Sequence, residues 1–268
     1  MYDVLQDLKQ LYANHGIATT ERYDDSMSRA MGPQLAYGSP AMYGVTATVL
    51  SSRRMIAYNL AQNAIDEAKG AARIQTIANN YAEGDLCKKM HRHVGEELKH
   101  SRQFKALVPT TGYQTREDPV EPEATEEVLD FDDELRAFIC RVHSIEIRSW
   151  TVLRMYQHIL RQKTFPDLSE AALPVLDNIM QDEINHVLYT GQQIDEWLRD
   201  DEWLQSVFDE CLDHTNRETW QDIASMTAWM AKNYRVVLED SDVADASAAE
   251  MPESRFLVGD LTPPATLT

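Results

Sequence analysis

The chain has 268 residues, 43% of them hydrophobic, enough for one sizeable core or two small ones. Its 44 acidic and 25 basic residues give a net charge of −19, which repels phosphate backbones and anionic membranes, so no nucleic acid and no membrane is expected as a partner. The three cysteines, Cys87, Cys140 and Cys211, are odd in number and form no CxxC pair. They exclude a disulfide scaffold and a cysteine zinc ribbon and point to a reducing, cytoplasmic setting.

The N-terminus, MYDVLQDLKQ, has neither a basic n-region nor an apolar h-region, and no run of about 18 apolar residues follows anywhere. Val4, Leu5, Leu8, Leu11 and Tyr12 recur at helical spacing over 3–15, and Gly16 is a stop. Residues 22–45 hold Gly32-Pro33, Gly38-Ser39-Pro40 and Gly44 and read as mostly loop. A long helix is predicted over 46–80, and a turn near Ala82 ends it. Asp85 is placed as N-cap of the next helix, 86–107, which Pro109 and Gly112 close.

Residues 109–130 are rich in proline and acid and form a long connection. A third long helix covers 131–162, with apolar positions including Leu135, Phe138, Ile139, Val142, Ile145, Leu153 and Leu160. A fourth covers 169–198, its regular part starting near 173 or kinked at Pro174, and a fifth helical stretch spans 201–236. The segment from 239 is rich in Asp, Ser, Ala and Pro and reads as a disordered tail. The fold class expected is all-α, divided as 1–45 (N-terminal helix and loop), 46–238 (helical domain) and 239–268 (tail). Two helical hairpins, 46–107 and 131–198, form its centre.

Each hairpin ends in the same pattern. Residues 96–100 read EELKH and residues 182–186 read DEINH. With 21 Glu and 8 His in the chain, chance supplies about 0.6 Glu-x-x-His matches, so the context must decide. On a helix, i and i+3 share a face, so Glu97 with His100, and Glu183 with His186, each offer an oxygen and a nitrogen to one ion. One arm back, Glu67 is as far from the turn near Ala82 as Glu97 is. Glu146 is likewise as far as Glu183 from the turn near 164–165. Four helices thus present one Glu each at one height, among small or apolar neighbours such as Ala64, Ala68, Ile145 and Met180.

Carboxylates buried without partners cost several kcal/mol each. Two divalent cations neutralise four of them. Mixed oxygen and nitrogen donors suit iron, with manganese second and zinc less well. Glu96 and Asp182 are placed to accept the free N–H of a ligand histidine from the opposite hairpin, or are surface carboxylates; the two readings are evenly balanced.

Glu67…Glu97-x-x-His100…Glu146…Glu183-x-x-His186, on four helices with a long crossover between the second and third, resembles the ferritin-like di-iron carboxylate proteins over about residues 50–200. The resemblance implies a ferritin-like four-helix bundle with extra N- and C-terminal helices. It makes those six residues the ligands of two Fe ions, with Glu97 and Glu146, or Glu183, free to bridge. It implies a di-iron oxygenase or oxidase that activates O2 to oxidise a small organic molecule by hydroxylation, N-oxygenation, desaturation or C–C cleavage. No flavin or nicotinamide motif occurs, so electrons come from a ferredoxin, a reductase or the substrate.

Individual members fit less well. The ribonucleotide reductase radical subunit carries a tyrosine where this chain has Phe104; rubrerythrins carry a four-cysteine iron site that three scattered cysteines cannot make; ferritins are shorter. The arylamine N-oxygenases place a third His one turn before the later motif, where this chain has Ile179. The rival function is a ferroxidase, iron-binding or rubrerythrin-like peroxidase protein without an organic substrate; a monomer or homodimer, rather than a cage, favours the oxygenase. A metal-free structural bundle is a third reading.

His93 lies one turn before Glu97 and His143 one turn before Glu146. Each is a candidate extra ligand, weighed below the reading as a core or solvated histidine. His91, His158 and His214 are read as structural or surface residues. Arg141 and Arg148 are candidate anchors for a substrate carboxylate, weighed below surface ion pairs. Trp150, Trp203, Trp220 and Trp229 are expected in the core. Tyr58, Tyr81 and Tyr189 are redox-capable but are given no role.

Overall fold

The computed structural model describes residues 3–113, 135–162 and 164–239, and among them there is no β-strand. The elements are α1 (Val4–Asn14), α2 (Glu21–Ala30), α3 (Pro40–Val49), α4 (Arg53–Tyr81), α5 (Gly84–Leu107), α6 (Leu135–Leu160), α7 (Pro166–Leu198), α8 (Glu202–Lys232) and α9 (Tyr234–Glu239). The long acidic connection expected over 109–130 lies outside the described residues beyond Tyr113, as does the tail from 240.

α4 and α5 pack as one antiparallel hairpin, and α6 and α7 as another. The small Ala64 and Ala71 on the buried face of α4 let α5 approach closely, and the Ser101 hydroxyl of α5 donates to the Ala64 carbonyl at 2.6 Å. α5 packs against α7, closing the four helices into a bundle, whereas α4 and α6 meet only sparsely. α8 lies along α6, and α2 and α3 fill in around α7 and α8. One hydrophobic cluster runs through all of this. It includes Val4, Leu8 and Tyr12 of α1, so the N-terminal segment belongs to the bundle's core rather than hanging from it.

Several helix boundaries depart from the sequence reading, each for a local reason. Residues 22–45 are not mostly loop. Thr20 caps α2 by accepting from the Tyr23 N–H, and Ser39 caps α3 with Pro40 in its first turn. Proline there starts a helix, because its missing N–H has no partner to lose. The helix predicted over 46–80 is broken at Leu50–Ser52, where Ser52 caps α4 by accepting from the Met55 N–H. Asp85 is not the cap of α5. Glu83 holds that position, Gly84 takes φ 59°, and Asp85 pairs with Lys89 at 3.0 Å.

α7 starts at Pro166 and accommodates Pro174 in its interior, with one backbone donor missing. The stretch 201–236 is two helices separated at Asn233. Of the four tryptophans expected in the core, only Trp150 is buried. Trp203, Trp220 and Trp229 are 54%, 39% and 45% exposed: Trp203 stands in the first turn of α8, off the face that buries Leu204, Phe208 and Leu212, and Trp220 and Trp229 stand in its C-terminal half, where few residues are buried. Among the described residues, no helix is long and apolar enough to cross a membrane.

Candidate metal centre

Halfway along the bundle, α4 supplies Glu67, α5 supplies His93, Glu97 and His100, α6 supplies Glu146, and α7 supplies Glu183 and His186. All but the half-buried Glu67 are buried. The donor atoms of six of them form two groups, each within 4.8 Å: His93, Glu97, Glu146 and His186 in one, and Glu67, Glu97 and His100 in the other, with Glu183 in neither. Glu97 belongs to both.

The distances are those of a cluster converging on shared points. Glu97 Oε1 lies 2.9 Å from His93 Nε2, 3.3 Å from His186 Nδ1 and 3.9 Å from His100 Nδ1. Glu146 Oε1 is 3.3 Å from His93 Nε2, and its Oε2 is 3.5 Å from His186 Nδ1. Glu183 Oε1 is 3.4 Å from His100 Nδ1. Among the described residues, four buried side-chain atoms lack a hydrogen-bond partner, and three of them belong to this cluster: His100 Nδ1, His186 Nδ1 and Glu183 Oε2. Buried polar atoms without partners are costly, and here three converge where a cation would satisfy them.

The outward nitrogens are all engaged across the bundle. His100 Nε2 donates to Asp182 Oδ2 at 3.0 Å, and His186 Nε2 donates to Glu96 Oε2 at 2.9 Å, so the acid before each Glu holds the other hairpin's histidine. Lys99 closes on Asp182, and Arg92 Nε lies 3.7 Å from Glu96 Oε1. His93 Nδ1 is 2.8 Å from the Tyr189 hydroxyl. Each of the three rings is thereby fixed in orientation with its other nitrogen facing the carboxylates.

Electrostatics split the four acids. Burial, together with neighbouring carboxylates, pushes Glu67 and Glu183 well above the usual range. Burial pushes the other two up as well but is outweighed. Hydrogen bonds with Glu67 and His93 hold Glu97 at about 2, and His93 and His186 hold Glu146 well below its ordinary value. Against its own burial, His93 is raised well above its ordinary value by Tyr189 and Glu146, whereas burial lowers His100. A metal bound here would compete with protons for these groups.

His143 is not part of this group. Its Nε2 is 2.7 Å from the Tyr23 hydroxyl and its Nδ1 is 2.8 Å from Thr190 Oγ1, and burial lowers its pKa to about 3. It is a satisfied core histidine. His93, by contrast, is fully buried and inside the cluster, so it is not solvated. His91 and His158 are exposed, and His214 pairs with Glu218 at 3.0 Å. Tyr189 received no role from the sequence, although it sits one turn after His186 on the same helix face, and that spacing was the available signal.

Above the carboxylates lies a cavity of about 1090 Å³ in the gap between α4 and α6, with α8 along its far side. Glu67, Glu97, Glu146 and Glu183 form its floor beside the buried Ile74 and Phe104. Comparison with protein-family models, curated proteins and solved structures returned no match.

Proposed function

We propose that the chain is a di-iron oxidoreductase of ferritin-like architecture that uses O2 to oxidise a small organic molecule bound in the cavity above Glu67, Glu97, Glu146 and Glu183. The observation that carries this reading is the convergence of two donor groups on a shared Glu97, with three partnerless buried atoms aimed inward. One group offers two nitrogens and two carboxylates, the other one nitrogen and two carboxylates, a mixture that fits iron first and manganese second. When bound, a pair of iron ions supplies the redox chemistry that no side chain here can supply.

The residues then have separate tasks. Glu67, Glu97 and His100 would hold one ion, and His93, Glu97, Glu146 and His186 the other. Glu183 lies beside His100, and its Oε2 has no hydrogen-bond partner. Asp182, Glu96 and Tyr189 fix the rings by hydrogen bonds to their outward nitrogens. Ile74 and Phe104 place apolar surface against the carboxylates, shielding the reacting end from water. Electrons come from an external donor or from the substrate. A cavity of this size favours an organic substrate over the rival iron-handling reading.

Anaerobic titration of the apoprotein with Fe(II) tests the proposal. Two irons per chain, followed by O2 consumption that an organic substrate accelerates, is the expected result. Stoichiometry far above two moves the protein to iron storage, and no binding leaves a structural bundle.

A further inference from the structure

Among the charged residues of the cavity wall, Arg148 is the arginine of α6 that is left without a task. On α6 the residues Arg141, Ile145, Arg148 and Val152 follow one another at intervals of three and four, forming a stripe on the cavity wall. The two arginines of this stripe are held differently. Arg141 donates to Glu218 Oε2 at 2.7 Å and to Thr215 Oγ1 at 3.2 Å, so it is occupied within the protein. Arg148 is half-buried and, among the described residues, makes neither a hydrogen bond nor an ion pair. The acids that face it from α8 are Glu218, already bonded to Arg141 and His214, and Asp222, which stands on the cavity wall without closing an ion pair.

A half-buried guanidinium with five fixed donors is expensive to leave unpaired, and a planar carboxylate is the partner its geometry matches. Around it the cavity presents apolar side chains, among them Val142, Ile145, Val152 and Met226. Asp222 on the wall opposes a second negative charge beside Arg148, so a single one is favoured. The volume of about 1090 Å³ lies at the upper end of small-molecule sites, roughly 300–1,000 Å³, and suits an elongated ligand.

We propose that Arg148 anchors the carboxylate of an elongated, largely apolar organic acid, whose body then extends over Ile145 toward Glu67, Glu97, Glu146 and Glu183. The proposal rests on the reading of that cluster as the reacting end of the cavity. Arg148 here is a specificity-determining residue: it selects the free acid over the ester, amide or alcohol and sets which carbon of the chain lies above the cluster.

The test is calorimetric titration of the protein, loaded anaerobically with Fe(II) and assayed for iron in the same sample, with dodecanoate and with dodecan-1-ol. The acid is expected to bind at least about tenfold more tightly, the size of one charge-assisted hydrogen-bonded pair. Arg148→Gln removes that margin, Arg148→Lys retains part of it, and Lys69→Gln, the same charge change elsewhere on the wall, leaves it intact. Equal binding of acid and alcohol, or binding of neither, overturns the anchor. So does a margin that survives Arg148→Gln, since the metal or another cation then holds the carboxylate. Two irons per chain without the margin leave the metal centre standing and remove the anchor. An Arg148-dependent margin in protein that takes up no iron keeps the anchor and removes the metal centre.

Discussion

The imidazoles of His93 and His186, one from each Glu-x-x-His helix, stack with ring centroids 3.6 Å apart and both direct a nitrogen at Glu97 Oε1. Two cationic rings in that arrangement repel each other, whereas two neutral rings sharing one cation do not. His93→Ala is therefore expected to lower Fe(II) stoichiometry from two toward one per chain, measured by anaerobic titration. Unchanged stoichiometry and affinity would make His93 a core residue only.

The crossed hydrogen bonds, His100 to Asp182 and His186 to Glu96, give a second expectation. Asp182→Asn and Glu96→Gln should each weaken metal binding by about 10–100-fold while leaving the fold intact. Competition against a chromophoric chelator measures this, with circular dichroism as the control. Wild-type affinity in both variants would return these acids to the status of surface carboxylates.

Glu183 supplies a pH test. Its folded pKa is raised by burial above the ordinary 4.5, so its contribution to stability is present below 4.5 and is lost as pH rises through the folded value. Glu183→Gln removes that titration. In chelator-treated protein the melting temperature of Glu183→Gln minus that of wild type should grow as pH is raised from 5 to 8. Added metal should reverse the order by stabilising wild type. A difference that is flat with pH would contradict a raised Glu183.

His143 titrates in the opposite sense. Burial depresses its pKa from 6.5 to about 3, so its neutral form supports the fold above 6.5 and the contribution disappears as pH falls toward 3. Wild type should lose up to about 1.4 kcal/mol per pH unit in that window relative to His143→Leu. The variant begins lower, since Tyr23 and Thr190 lose a partner. Urea unfolding at several pH values measures the gap, which should close on acidification.

Gly191 of α7 has no side chain because Tyr12 occupies the space. A Cβ there would lie 1.9 Å from the Tyr12 hydroxyl oxygen and 3.0 Å from His143 Cε1. The Tyr12 ring cannot simply swing away, since its hydroxyl is bonded to that of Tyr23 at 2.7 Å and the side chain is buried. Gly191→Ala should destabilise by about 1–3 kcal/mol, and Tyr12→Phe in that background should recover part of the loss. Additive losses in the double variant would remove the clash as the cause.

Much of this architecture was legible in the sequence because it rests on strong periodic signals. The hairpins of α4–α5 and α6–α7 follow from long apolar repeats. The placing of Glu67, Glu97, Glu146 and Glu183 at one height follows from distance to the turns. What was hidden depended on chain direction at short range or on contacts between distant segments. Pro40 reads as a breaker until Ser39 is seen to cap it. Trp220 and Trp229 look like core until the C-terminal half of α8 is found to bury few residues. His93 could not be placed by spacing alone, since His143 has a similar offset from its own Glu and belongs to a different network, with Tyr23 and Thr190.

The crossed pairs make the two hairpins near-copies under a half-turn: Glu96–His186 exchanges with Asp182–His100, and Glu67–Glu97 with Glu146–Glu183. His93 breaks that exchange, because its counterpart on α7 is the buried Ile179. One donor group is consequently richer in nitrogen than the other. Two ions seated there would differ in potential and in order of loading: the one on the nitrogen-richer group would be retained more firmly, and the other would exchange more readily.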